Sequence, residues 1–250
     1  MGRDDHDNSS MLEKSLWILQ SFRNVNGKLR LSELAVRTGL PKSTVHRLAR
    51  LLIDQNLLTH DEVGYELGIE LFELGGLVPV ARRLRETALP YMQDLFMATH
   101  QTVHLGVREG VDVVYVEKIY GHSDLGLPSR VGGRLPLNCT GVGKALLAFS
   151  DREVVDFILA KPLRRITPNS IVDHAQLVRE LAEVRATGLA FEREEATLGR
   201  GCVAAPVIVR GIPVAAISIS VPITEYRVPQ LAAAVKVASM ALARQLKGGR

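Results

Sequence analysis

Apolar positions in the first part of the chain recur at the three- and four-residue steps of helices. Along "MLEKSLWILQSF" the face runs through Leu12, Leu16 and Leu19, with Ser15, Trp17 and Phe22 alongside, and the helix is expected to end near residues 24–27. "LSELAVRTGL" predicts a short second helix, with Ser32 as its cap, Glu33 in its first turn, Leu34 and Ala35 on its apolar side and Gly39 as a left-handed stop. Pro41 suits the first turn of a third helix, whose buried stripe is Val45, Leu48 and Leu52 with Ala49 and Leu51, and which Asn56 closes. In "LLTHDEVGYEL" the pattern changes to that of a hairpin, Leu58 and Thr59 facing Tyr65 and Leu67 across a turn at residues 61–64.

Beyond residue 68 the helical period resumes and is interrupted by Gly75, Gly76 and Pro79, which predicts a linker helix over 68–77 and a longer one over 80–99 that Pro90 kinks. "TVHLGVREGVDVVYVEKI" then alternates as two strands of an antiparallel hairpin turning at Glu109 and Gly110. Helices follow from Thr140, from Asp151 and over "DHAQLVRELAEVRAT", stopping at Gly188. Strands are expected in "LAFERE", "GCVAAPVIV" and "IPVAAISISV", and a closing amphipathic helix in "TEYRVPQLAAAVKVASMALARQLK". The fold class is α+β: an N-terminal helical domain with a hairpin wing, then a larger domain of antiparallel sheet with helices set on one side. The expected division is 11–68, a linker at 69–79, and 80–250.

Composition narrows this only modestly. With 46% hydrophobic residues over 250 positions the chain fills a core of one large or two smaller domains. Neither end holds the roughly 20 apolar residues of a membrane span, and "MGRDDHDNSS" has no signal-peptide core and reads as a disordered tail. Two cysteines, Cys139 and Cys202, make no disulfide framework and are expected as free thiols of a cytoplasmic protein. A net charge of +4 permits nucleic acid as a partner without requiring it, so the arrangement of charge decides.

That arrangement is informative on the third helix. Lys42, Ser43, His46, Arg47 and Arg50 share the face opposite the Leu and Val stripe, and it holds no carboxylate before Asp54. Two short helices joined by a Gly-containing turn and followed by a hairpin have the order of a winged helix-turn-helix, whose second helix enters the major groove of DNA. "LSELAVRTGLPKSTVHRLARLLIDQNLL" resembles the DNA-binding segment of the IclR family of bacterial transcriptional regulators, with Gln55 and Asn56 where a glycine is common. The residues expected to meet double-stranded DNA are Ser32, Lys42, Ser43, Thr44, His46, Arg47 and Arg50. Acidic residues roughly balance basic ones in the first 68 positions, so affinity would come from a shaped surface duplicated by dimerisation on a near-palindromic operator.

In the larger domain three features invite a catalytic or metal reading. Gly141, Gly143 and Lys144 share part of a phosphate loop, but Ala145 stands where the hydroxyl belongs. Cys202 has no histidine tied to it by a recognisable signature, and His100 and His104, four apart, straddle a helix-to-strand change that breaks metal-ligand spacing. A binding pocket uses the same region better: the first turn of a helix capped by Thr140 offers N–H groups to an anion, and Ser218 and Ser220 point to one face of a strand. "GVGKALLAF", "EREEATLGRGCVAAPV" and "AAISIS" resemble the GAF-like effector domain of the same family. That resemblance implies contacts to a small organic acid at Leu127, Gly141, Val142, Glu192, Cys202, Ser218 and Ser220. Glu192 departs from the aspartate common in the family, and Arg193 follows where another acid is usual; His100 and Gln101 replace a usual Gly-Glu. The expectation is a regulator, not an enzyme, without cofactor or metal, homodimeric or a dimer of dimers, with Gly75, Gly76 and Pro79 as a hinge. The rivals are a small-organic-acid enzyme reacting through Cys202 or Glu195, and a protein-interaction module.

Overall fold

The computed structural model describes residues 9–23, 25, 27–122 and 127–248, so the expectation of a disordered tail falls, for residues 1–8, outside the described residues. The chain divides into two compact units, one ending at Arg82 and one beginning at Arg83.

In the first unit α1 (Met11–Gln20) starts at a reciprocal cap: the Ser10 hydroxyl accepts the Glu13 N–H at 3.2 Å and the Glu13 carboxylate accepts the Ser10 N–H at 2.7 Å. Its buried side differs from the expected one. Leu12 is 69% exposed and Leu16 43%, while Ile18, not among the expected positions, goes into the core; the expected Phe22 is buried with it, and Trp17 and Leu19 pack against it. The helix carries apolar residues on two sides, and period alone does not choose between them. It also ends at Gln20, short of the expected 24–27, where Asn24 and Asn26 lie outside the described residues.

The second helix, α2 (Leu31–Thr38), is capped at Arg30, whose N–H is held by the Glu33 carboxylate at 2.7 Å; Ser32 is an exposed first-turn residue and not the cap. Gly39 ends it at φ 71°, as its position suggested. Pro41 is the cap of α3 (Lys42–Asp54), one place earlier than expected, and Val45, Leu48, Ala49 and Leu52 are buried while Leu51 stays 44% exposed. Asn56 takes the left-handed backbone at φ 55° that closes the element. The wing is β1 (Leu58–His60) against β2 (Tyr65–Leu67), with Leu58 opposite Leu67 and His60 opposite Tyr65. A bridge from Leu29 to Tyr65 ties the wing to the segment before α2. The core is Ile18, Phe22, Leu29, Leu34, Leu40, the α3 stripe, Leu58 and Tyr65. The expected linker helix is α4 (Glu70–Gly76), which Gly75 and Gly76 finish, and Pro79 opens α5 (Pro79–Thr99), which continues through Pro90.

The second unit is built on an antiparallel sheet of six strands: β3 (Thr102–Glu109), β4 (Asp112–Ile119), β5 (Arg134–Pro136), β6 (Ala190–Arg193), β7 (Arg200–Val209) and β8 (Ile212–Pro222), in the order β5-β4-β3-β8-β7-β6. Helices cover both faces, not one as the sequence suggested. On one face α5 and α9 (Val228–Gly248) pack on Val103, Leu105, Val203, Ala205, Ile217 and Ile219. On the other, α6 (Gly141–Ala148), α7 (Arg152–Leu159) and α8 (His174–Thr187) pack on Val113, Tyr115, Ala204 and Ala216. The central strands are apolar on both sides, and that near-continuous run is what two covered faces require. The second face mixes in polar side chains at His104, Cys202, Ser218 and Ser220, whereas on the α5 face the buried Glu117 is answered by Arg85.

Candidate functional site

The polar side chains named from the sequence gather at two places among the described residues. On α3, Lys42, Ser43, His46, Arg47 and Arg50 are exposed and Thr44 is half-buried, all on the side away from the Leu48 core. Among the described residues none of Lys42, His46, Arg47 and Arg50 takes part in an ion pair or a side-chain hydrogen bond. Ser32 is exposed on α2, whereas its neighbour Arg37 is spent on the Ser21 carbonyl at 3.2 Å. The expected DNA-contacting side chains therefore occupy the surface, and the cations of α3 lie in a helix with no acid in its first turn.

The second place is a pocket on the sheet face of α6, enclosing about 400 Å³ of space including its mouth. The sheet register builds its floor. His104 lies opposite Ser218, Ser220 opposite Cys202, and Cys202 opposite Glu192, so alternation delivers all five to one side. The α6 start closes it: Thr140 accepts the Gly143 N–H at 3.1 Å and donates to the Pro136 carbonyl at 3.0 Å. Gly141 must be glycine for this approach, since a Cβ there would lie 2.9 Å from Cys202 Sγ and 3.3 Å from Ala204 Cβ. All seven residues named from the sequence, Leu127, Gly141, Val142, Glu192, Cys202, Ser218 and Ser220, line this one pocket. His104, Tyr115, Ser129, Thr197 and Arg200 line it too and went unrecognised as members; for His104 the strand alternation with Val103 and Leu105 was a usable signal.

The wall is polar but mostly uncharged. Burial pushes the His104 imidazole down to about 3, with the Lys118 charge acting the same way, so the ring is neutral; its Nε2 meets Ser129 Oγ at 2.8 Å. Burial pushes the Cys202 thiol up to about 12 and Glu192 reinforces it; Cys139 is raised to about 12 by burial as well. Neither sulfur is a nucleophile near neutral pH. The Ser218 hydroxyl is 1% exposed and has the Cys202 thiol beside it but no oxygen or nitrogen partner among the described residues, so it keeps hydrogen-bonding capacity for something in the pocket. Glu192 is held by its Oε1, which accepts the N–H groups of Glu195 at 2.5 Å and Ala196 at 3.1 Å. Arg193, the next residue on the strand, points away and lies over the Tyr226 ring at 5.0 Å, so it does not set the charge of the pocket.

The remaining sequence candidates resolve plainly. Lys144 does not serve a phosphate loop: it is wholly buried, 2.7 Å from Glu195 Oε1 and 3.2 Å from Glu180 Oε2. His100 and His104 are separated by the end of α5, where His100 takes φ 54°, and share no site. Glu195, one of the rival reactive groups, is committed to Lys144.

With both places described, comparison with known proteins fixes the class. The model of the IclR helix-turn-helix domain matches residues 11–62, and that of the bacterial transcriptional regulator IclR C-terminal domain matches residues 79–245. The chain belongs to the IclR family of bacterial DNA-binding transcriptional regulators. It is 34% identical over 202 residues to the HTH-type transcriptional regulator XynR of Escherichia coli strain K12, covering 78% of this chain and 79% of that one. To the HTH-type transcriptional repressor AllR of Klebsiella pneumoniae it is 34% identical over 215 residues, covering 84% and 79%. Among solved structures, an IclR homologue of Microbacterium hydrocarbonoxydans in complex with 4-hydroxybenzoate superposes with a TM-score of 0.88 at 28% identity, over 96% of this chain and 100% of that one. The IclR protein of Thermotoga maritima gives 0.76 at 29% identity, over 94% and 98%. No helix among the described residues is long and apolar enough to cross a membrane.

Proposed function

We propose that α3 enters the major groove of a near-palindromic operator, with Ser32, Lys42, Ser43, Thr44, His46, Arg47 and Arg50 meeting bases and phosphates, and that the α6 pocket holds a small carboxylate effector. The effector contacts in this reading are Leu127, Gly141, Val142, Glu192, Cys202, Ser218 and Ser220. The observation that carries it is the presence in one chain of a cationic helix face unengaged among the described residues and a pocket whose buried Ser218 hydroxyl has no oxygen or nitrogen partner among them. The protein acts as a regulator and not as an enzyme, since both thiols stay protonated and the relatives are transcriptional regulators. In this reading it works in the cytoplasm as a homodimer or dimer of dimers, residues 11–68 reading DNA and residues 80–250 sensing and assembling. The effector binds two arrangements of the reading heads unequally, through the segment from Gly75 to Pro79, because equal binding shifts nothing.

The test is binding of the purified protein to DNA from its own upstream region across a salt series, with and without small carboxylates including 4-hydroxybenzoate, which a structural relative binds. Sequence-selective binding that falls steeply with salt and changes with one acid is the expected result. Absence of selective DNA binding at low salt refutes the reading-head assignment, and turnover of an acid would replace it with the enzyme.

A further inference from the structure

Charge around the pocket is out of balance. Lys144, the cation behind the pocket wall, is 0% exposed and already shared by Glu195 and Glu180. Glu192 is 4% exposed and pairs with no cation among the described residues. Both of its backbone hydrogen bonds go to Oε1, which leaves Oε2 for the pocket. Arg200, on the same wall, and Lys118, buried behind His104 with its ammonium donating to the Ser129 carbonyl at 2.8 Å, each have interactions of their own, and neither pairs with Glu192. His104 is neutral and supplies no positive charge. An arriving carboxylate is thus a further anion set beside a buried carboxylate, an arrangement in which like charges do not both stay ionised.

We infer that the pocket takes up a carboxylate ligand together with one proton from solvent, which resides on the Glu192 carboxyl and turns its Oε2 into a hydrogen-bond donor toward the ligand. This rests on the reading of the pocket as a carboxylate seat. The only bond formed is O–H, and Oε1 keeps its two backbone donors in either state.

The groups packed around Glu192 leave it as the titrating one. Cys202 opposite it on β7 and Cys139 before α6 are pushed up to about 12, and Tyr115 from β4 and Tyr226 beyond β8 are raised by burial. Glu195 is raised by burial too, but it has Lys144 as its counter-charge. In the empty protein burial lifts Glu192 to about 7, the charge of Glu195 adding to it and the Ala196 N–H opposing it. The sign follows. Below pH 7 the proton is already in place and affinity is flat; above it the proton must be taken up, and affinity falls toward roughly tenfold per pH unit.

The experiment is isothermal titration calorimetry of the full-length protein with 4-hydroxybenzoate, benzoate and pyruvate from pH 6 to 9, in two buffers of different ionisation enthalpy, on wild type and Glu192→Gln. For any acid that binds, wild type should take up close to one proton at pH 8 and little at pH 6, and lose about tenfold in affinity per unit above pH 7. Glu192→Gln, which keeps the Oε1 acceptor and is neutral at every pH, should bind with no proton uptake and a flat profile. Binding by wild type without proton uptake overturns the inference and leaves the carboxylate reading intact. An uptake that persists in Glu192→Gln assigns the proton elsewhere and also overturns it. Binding of none of the three acids at any pH overturns the carboxylate reading beneath it.

Discussion

Two helices of this chain carry a lysine near their start, and they dispose of it in opposite ways. On α3, Lys42 is exposed and shares its face with Arg47 and Arg50; on α6, every residue is buried and Lys144 is the largest fully buried side chain in the described residues. An exposed cation keeps its hydration and remains available to a phosphate or a base. A buried one has surrendered hydration worth several kcal/mol and persists only because carboxylates meet it. The same residue type is therefore a solvated surface cation in one helix and a structural peg in the other.

The largest expected effect separates the two. Lys144→Ala leaves Glu195 buried without its counter-charge and should destabilise the second unit by about 3–5 kcal/mol, read by urea denaturation. Replacing the pair together, Lys144→Met with Glu195→Gln, should recover most of that loss. Lys42→Ala should alter stability by less than about 0.5 kcal/mol. Comparable losses from Lys42 and Lys144 would erase the distinction. The next effect runs the other way: Arg47→Ala should cost about 1–3 kcal/mol of operator affinity if it grips a base edge, with an unchanged denaturation midpoint. Unaltered affinity in a gel-shift titration would remove Arg47 from the reading face.

The contrast also explains how much of the molecule was legible beforehand. The α3 face could be read because its apolar and cationic stripes alternate at helical period within thirteen residues. α6 offers no such alternation, and its lysine is answered by Glu180 and Glu195, thirty-six and fifty-one residues away, which only the fold brings near. Five of the six strands of the large sheet were recognisable from their apolar patterns and Gly turns, whereas β5, three residues long, was not expected. That helices cover both sheet faces was not, because residues such as Ala204 and Ala215 suit a helix-covered face and a sheet-core face equally. In α1 the same ambiguity chose the wrong stripe, Leu12 and Leu16 in place of Ile18. The pocket wall named through family resemblance came together as one site, yet Tyr115 and Ser129 escaped because strand register and a loop, not a local motif, bring them there.

The smallest effect tests how each helix start is held. α6 depends on a side chain, for Thr140 Oγ1 accepts the Gly143 N–H and donates to the Pro136 carbonyl, in a buried turn. α3 starts at Pro41 with no side-chain cap, its first N–H groups facing out. Thr140→Ala should therefore cost about 1 kcal/mol through the orphaned Gly143 N–H. Thr140→Ser, which retains both bonds, should cost less. Ser43→Ala on α3, by contrast, deletes a hydroxyl that holds nothing within the fold, and should leave the denaturation midpoint in place while weakening DNA binding. The comparison fails if Ser43→Ala destabilises as much as Thr140→Ala, for the α3 start would then be a structural cap like that of α6 and its hydroxyl would not be reserved for the groove.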